Sequence, residues 1–575
     1  MSFSFLLLTA LAADPIFDLK RIQSDPLDAK TIKPPVAKDG LVVEHVEYTS
    51  QLHEGRPVRV KGILAYPKGA KKRPAVFFSM PGMAPASEYW SSVFAKKGYV
   101  GMTVTLPSGR LPEVMVDGRK LQDQNLTNFA IAQMRGITLL SKRPEVDPDR
   151  IGIGGSSYGG FTATLIAGAD PRIKAGMSFF AGGNHHLGSN LPQFLRQKNL
   201  EDAELWQTTI DPAWRLKKRK VPFLWAVAAN DHWFHFPAVV QTYRDSIGEK
   251  TLAIAPHWAH AFDEDMDRQL LDWFEIYLAR KEDKVGPKPI LPYLKAGPMK
   301  VEKKEGKLVA LWSWSGGRKA GRAALVVSYG HNRPWHGWVH RLHSVFPARI
   351  SGSTASAEIP VPETGLPAVV YGNVFDTEGM TTSTDPIAIE PSNLGVQTIT
   401  GKPALNGYPL GAFSEQDWTH LVRTGISFGK PDKDVHHSAP QSILMKPAAK
   451  GRHRAAKMKL LNVPDHDHHL TLWLRSDGPA EVQIEVIASP PAHWGKPVVD
   501  AIRKSLNNNA RPAPAKDRIP RFKMTASCNN NWQQFQLKCP DTGTPIEGYT
   551  LMVQQSPETR ANYWIDDVAF RPIWK

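Results

Sequence analysis

Between residues 40 and 281 the apolar positions fall into two textures. Val42–Tyr48 and Val58–Tyr66 alternate apolar and polar residues, the period of a strand with one solvated face. Six later runs are nearly continuous in apolar residues: Pro74–Met80, Tyr99–Leu106, Arg150–Gly155, Ala175–Gly182, Pro222–Ala229 and Lys250–Ala255. That texture predicts strands buried on both faces. Helical spacing occupies stretches between them, chiefly Asn125–Leu140 and Asp263–Ala279. Two hairpin-like strands followed by strand–helix repeats predict an α/β domain over residues 13–281, built on a doubly wound, mostly parallel sheet.

The texture then changes. Residues 282–297 are charged and proline-rich and read as a linker. From 298 to 396 short strand patterns (LVALWSW, AALVVSY, SAEIPV, AVVYGNVF) alternate with turn residues and predict a small β-sandwich. Strands resume over 397–575 (LTLWLRS, AEVQIEVIAS, WQQFQLKC, YTLMVQQ, YWIDDVAFR), broken by a polar insertion near Lys496–Pro520. A second sandwich, of jelly-roll type, is expected there. The division suits a chain of 575 residues, too long for one core.

At the N-terminus, an apolar run from Phe3 to Leu11 ends in Ala10-Leu11-Ala12, the small-residue pattern of a secretory cleavage site. Residues 1–12 are therefore expected to be a signal peptide, with the protein secreted or periplasmic. No stretch is long enough to span a bilayer. The two cysteines, Cys528 and Cys539, would close a hairpin in an oxidising compartment and stay reduced in the cytosol. The formal charge of +16, densest at Arg215–Lys220, reads as a solvated basic surface. No zinc finger, basic helix or aromatic RNA-binding signature points to nucleic acid.

The strand pattern Arg150–Gly155 runs into GGSSYGG, and a helical pattern follows. Ser157 alone satisfies G-x-S-x-G, with Gly155 and Gly159 at −2 and +2; Ser156 fails because Tyr158 stands at its +2 position. A nucleophile on a strand-to-helix elbow sits in strained backbone, and side chains at −2 and +2 would collide there. Such a serine needs a base, and the base an orienting acid, carried in that chain order after later strands. Asp231 follows PFLWAVAA and His260 follows KTLAIA. His260 fits the loop best, with His257 nearer the strand and His235 more distant; a helix cap is the alternative role for Asp231. The oxyanion donors expected are the backbone N–H of Tyr158 and those of Gly82 and Met83, in the loop MPGMAP.

RPEVDPDRIGIGGSSYGG, AANDHWF and HAFDED together resemble the α/β-hydrolase superfamily over roughly residues 40–281. The closest likeness is to dienelactone-hydrolase-like and acetyl-xylan-esterase-like members and to the prolyl-oligopeptidase catalytic domain. The resemblance implies a Ser-His-Asp hydrolase needing no metal or cofactor for catalysis, with those roles on Ser157, His260 and Asp231. MPGMAP departs from the His-Gly run common in the oxyanion loop of relatives. Prolyl oligopeptidases carry a large propeller before this domain, whereas about 40 residues precede the first strand here, so esterase activity is expected over peptidase activity.

Around the site, an insertion between AGMSFFAG and PFLWAVAA brings His185, His186, Trp206 and Trp214 as candidate substrate-lining residues, joined by Trp233 after the acid. In the C-terminal segment DVHHSAPQSILMK and YWIDDVAFR resemble strands of jelly-roll carbohydrate-binding modules. That resemblance makes Asp566 or Asp567 a candidate ligand for a structural calcium, with a half-buried edge strand as the alternative. The expected activity is a serine carboxylesterase acting on a small ester or an esterified polysaccharide. A peptidase, or a glycan-binding protein with a vestigial hydrolase domain, are the competing readings.

Overall fold

The computed structural model describes residues 14, 16–53, 55–82, 84–106, 125–187, 208–229, 231, 233–256, 260, 264–280, 283, 291–329, 343–359, 368–396, 408–409, 430–432, 434–437, 442–446, 455–460, 468–489, 521–540, 548–555 and 560–572. The expected signal peptide and the insertion near Lys496–Pro520 lie outside these residues.

Nine strands form one sheet: β1 Lys30–Lys38, β2 Leu41–His53, β3 Arg56–Pro67, β4 Arg73–Ser79, β5 Val100–Thr105, β6 Val146–Ser156, β7 Ile173–Phe179, β8 Phe223–Ala228 and β9 Lys250–Ala255. Their order is β1-β2-β3-β5-β4-β6-β7-β8-β9. The pairings from β1 through β3 to β5 are antiparallel, and those from β5 through β4 to β9 are parallel. The continuous apolar runs are the parallel strands, because both their faces are covered. β1 carries no apolar pattern. It contains Pro34, Pro35 and three lysines, is exposed along its length, and is tolerated only because it is an edge strand.

Helices cover both faces. On one lie α1 (Leu19–Ser24), α3 (Asn125–Ser141), α4 (Tyr158–Ala169), α5 (Pro212–Leu216) and α6 (Phe236–Asp245), packed on Phe77, Met102 and Trp225. On the other, α2 (Glu88–Lys96) and α7 (Glu264–Leu278) pack on Val76, Phe78 and Met177. α7 buries Trp273 and Phe274 fully, each contributing roughly 2–3 kcal/mol. It comes close because β6 offers glycine there. A Cβ on Gly152 would lie 2.6 Å from the Phe274 ring, and one on Gly154 3.0 Å from Leu270. No described helix is long and apolar enough to cross a membrane.

Two sandwiches follow. In the first, a sheet holding Lys307–Ser315 and Thr354–Ile359 faces one holding Ala320–Tyr329, Ala368–Asp376 and Thr381–Ser383. In the second, a six-stranded sheet centred on His468–Ser476 and Tyr563–Pro572 faces a four-stranded sheet centred on Ala480–Ser489 and Gly548–Gln555. One apolar cluster runs through both. The end of the expected linker is built into the first sandwich: Tyr293 and Leu294 are buried, and Lys295–Ala296 pair with Trp314 and Ser315. Cys528 and Cys539 are free thiols on different sheets, and burial pushes them up to about 11 and about 12.

The basic cluster Arg215–Lys220 departs from a solvated surface. Arg215 pairs with Asp14 and lies over the Phe17 ring, and Lys217 pairs with Asp245. Arg219 turns inward and donates to the carbonyls of Ala167, Asp170 and Ile173, satisfying the C-terminal end of α4.

Candidate active site

β6 ends at Ser156 and α4 begins at Tyr158, so Ser157 alone makes the turn. Its backbone is at φ 56° and ψ −127°, a conformation that costs a residue with a Cβ about 1–3 kcal/mol. The Ser157 N–H donates to Phe179 O at 2.9 Å, which ties the turn to β7. The flanking glycines are required by contact. A Cβ on Gly155 would sit 2.4 Å from Gly159 O, and one on Gly159 would sit 2.1 Å from Ser79 O. Beneath the elbow, Ser79 Oγ lies 2.8 Å from Thr162 Oγ1, which also donates to Gly159 O and accepts from Gln133 Nε2. These bonds fasten the first turn of α4 to the end of β4.

Three strand ends bring the polar residues together. His260 Nε2 lies 2.5 Å from Ser157 Oγ, and His260 Nδ1 lies 2.8 Å from Asp231 Oδ2. Asp231 is buried, and its other oxygen accepts the N–H groups of Trp233 (2.7 Å) and Phe234 (3.0 Å). The carboxylate thus shapes its own turn with one oxygen and holds the imidazole with the other. An acceptor-only carboxylate draws the proton to Nδ1, which leaves Nε2 to accept from the serine hydroxyl. His235 instead precedes α6 as its cap residue and is buried; His257 lies outside the described residues.

Two rings flank His260: Phe180, which the sequence does not mark, and Phe234, which follows the acid and reads with Trp233 as candidate lining. Phe180 lies 5.7 Å from it between centroids and Phe234 lies 6.1 Å away at 21°. Phe180 holds φ 54°, unusual for a bulky residue, and donates its N–H to Ala226 O. In the sequence it reads only as the end of an apolar run.

Tyr158 opens α4, where the first N–H groups lack helical partners and the helix dipole favours negative charge. Its ring turns inward against Phe129 and Phe161, and burial raises its phenol pKa. Gly82 is exposed at φ 53° in the loop after β4, and Met80 O lies 2.5 Å from where a Gly159 Cβ would stand. That loop therefore begins directly over the elbow. Met83 lies outside the described residues.

The expected lining residues divide. His185 is a correction. It is 1% exposed, packed on Phe161 and Phe234, with its pKa pushed down to about 4 by burial, so it belongs to the core beneath the site. His186 is exposed, Trp233 is 43% exposed beside the acid, and Trp214 is exposed with Lys218 Nζ 4.2 Å from its ring centroid. Trp206 lies outside the described residues. In the second sandwich Asp566 is fully buried and accepts the His437 N–H at 2.7 Å. That donor is no metal ligand, and among the described residues no three His, Cys, Asp or Glu cluster to hold an ion. The Asp567 side chain lies outside the description.

Residues 60–283 match the family model of the dienelactone hydrolase family. The chain carries an α/β-hydrolase domain. All-β sheets follow that domain. Among solved structures, an acetyl xylan esterase from Paenibacillus sp. R4 is similar at 18% identity and a TM-score of 0.39, over 45% of this chain and 92% of that one. Acetyl xylan esterase 1 from Thermoanaerobacterium sp. JW/SL YS485 is similar at 16% identity and a TM-score of 0.38, over 45% and 94%. A glucuronoyl esterase from Solibacter usitatus is similar at 14% identity and a TM-score of 0.34, over 44% and 86%. No curated protein sequence matches the chain.

Proposed function

We propose that the hydrolase domain is a serine carboxylesterase. The observation that carries this reading is the unbroken hydrogen-bond path from Asp231 through His260 to Ser157, ending on a serine held in a strained turn. Ser157 Oγ attacks the ester carbonyl carbon while His260 Nε2 takes the hydroxyl proton. The imidazolium is stabilised by Asp231. The oxyanion meets the Tyr158 N–H, and the loop at Gly82 and Met83 supplies the second donor. His260 then returns the proton to the departing alkoxide, leaving an acyl-Ser157 that water hydrolyses by the same route. No step in this scheme calls for a metal.

The substrate class we propose is a small ester or an ester borne on a polysaccharide, met outside the cell after export directed by residues 1–12. The supports are the N-terminal apolar run and the two sandwiches that follow the hydrolase domain. The test is hydrolysis of 4-nitrophenyl acetate by the purified chain beside Ser157→Ala, followed by acetate release from acetylated xylan. Activity lost in the variant supports the reading. Equal, negligible rates would sink it and favour glycan binding, while cleavage of amides but not esters would favour a peptidase.

A further inference from the structure

β9 is the last strand of the nine-stranded sheet, and its outer edge would leave backbone groups unpaired. The first sandwich meets them with two side chains. Ile254 N–H donates to Ser383 Oγ at 2.8 Å, and Asn373 Nδ2 donates to Ile254 O at 3.0 Å. Ser383 Oγ in turn donates to Asn373 Oδ1 at 2.7 Å. Asn373 and Ser383 are cross-strand partners, and both they and Ile254 are buried. A hydroxyl and an amide thus stand where a tenth strand would bond.

Ile254 lies six residues before His260, and α7 begins four residues after it. The sandwich grips that side as well. Arg268 donates to Glu378 O, and Arg318 bridges Asp272 at 2.6 Å and Asp376 at 3.1 Å. Asp376 also fixes the turn between the two strands, its Oδ1 accepting the N–H groups of Glu378 and Met380 at 2.9 Å. The acid side is held too: Phe236, at the start of α6 after Asp231, packs its ring on Tyr371 and His343.

We propose that Asn373 and Ser383 are positioning residues for the esterase, fixing the end of β9 and with it the place of His260 against Ser157. The first sandwich is then part of the catalytic apparatus and not an appended module. The inference rests on the proposed triad. A displacement of about 1 Å at a reacting group can lower a rate about 100-fold, so small movements of β9 suffice.

The full chain serves for the test, as wild type and as Asn373→Ala, Ser383→Ala and Ser383→Thr, with Ser157→Ala as control. The readouts are kcat and KM on 4-nitrophenyl acetate per burst-titrated site, and deuterium exchange across residues 250–262. The two alanine variants should lose about 10- to 100-fold in kcat with KM little changed and with faster exchange at Ile254. Ser383→Thr, which keeps the hydroxyl, should recover most of the rate. Faster exchange with kcat per site unchanged overturns the proposal, as does a loss confined to KM. Should an alanine variant not fold, Asp272→Asn, which weakens the grip on α7, must lower kcat in the same way or the proposal fails. A wild type no more active than Ser157→Ala removes the esterase reading and this proposal with it, a result distinct from the others.

Discussion

Replacing Ser157 by glycine should leave a more stable protein than replacing it by alanine, although both variants lose the proposed nucleophile. Ser157 holds φ 56° and ψ −127°, a conformation natural to glycine and costly, by about 1–3 kcal/mol, to any residue bearing a Cβ. Alanine keeps the Cβ and the strain, whereas glycine sheds both. Glycine's freer unfolded chain takes back roughly 0.5–1 kcal/mol. The bond from Oγ to His260 disappears in both variants and cancels. The balance favours Ser157→Gly over Ser157→Ala by about 1 kcal/mol, or about 2 °C in the melting of a domain this size. Calorimetry and guanidinium titration of the two variants side by side measure the difference. An alanine variant as stable as the glycine variant would mean that the elbow stores no strain. Appreciable esterase activity in either would mean that Ser157 is not the nucleophile.

Other substitutions probe the remaining parts of the site and scaffold. Asp231→Asn preserves shape but lets the amide hold the wrong imidazole tautomer; kcat on 4-nitrophenyl acetate should fall about 10⁴-fold with circular dichroism unchanged. Gly159→Ala sets a Cβ 2.1 Å from Ser79 O and 2.5 Å from Met80 O, and should cost about 3 kcal/mol, read as a lower denaturation midpoint. Burial alone would raise the Asp14 carboxyl, but Arg215 and the N–H groups of Phe17 and Ile16 outweigh it and hold its pKa below the ordinary value. A depressed folded pKa gives stability that is present above the unfolded value, about 3.9, and lost as pH falls through the folded one. Asp14→Asn should therefore lower stability at pH 7 and make it less steeply pH-dependent below about pH 4, as measured by denaturation across pH.

The parts of this architecture legible in the sequence share one property: local pattern determines them. A strand buried on both faces must be apolar throughout, so the parallel strands β4 to β9 announce themselves. The glycines around Ser157 are dictated by contacts two residues away along the elbow, so the motif carries its own geometry. Asp231 and His260 could be placed because each follows a strand whose end is legible. β1 could not, since an edge strand with Pro34, Pro35 and exposed lysines has no burial to record.

What stayed hidden depends on partners far along the chain. Arg215 and Arg219 look like surface charge until Asp14 and the last carbonyls of α4 are seen to receive them. His185 looks like a pocket residue until Phe161 and Phe234 enclose it. His260 follows the same logic. Its position in the sequence sets which loop carries it, but its place against Ser157 depends on two rings from other strand ends, Phe180 and Phe234. It also depends on a strand whose free edge is met by side chains more than a hundred residues away. Local sequence therefore selects the residues of the proposed triad, while long-range packing sets the distances between them. The substitutions most informative about rate are accordingly those at Asn373 and Ser383, which touch no substrate and leave every residue of the triad in the chain.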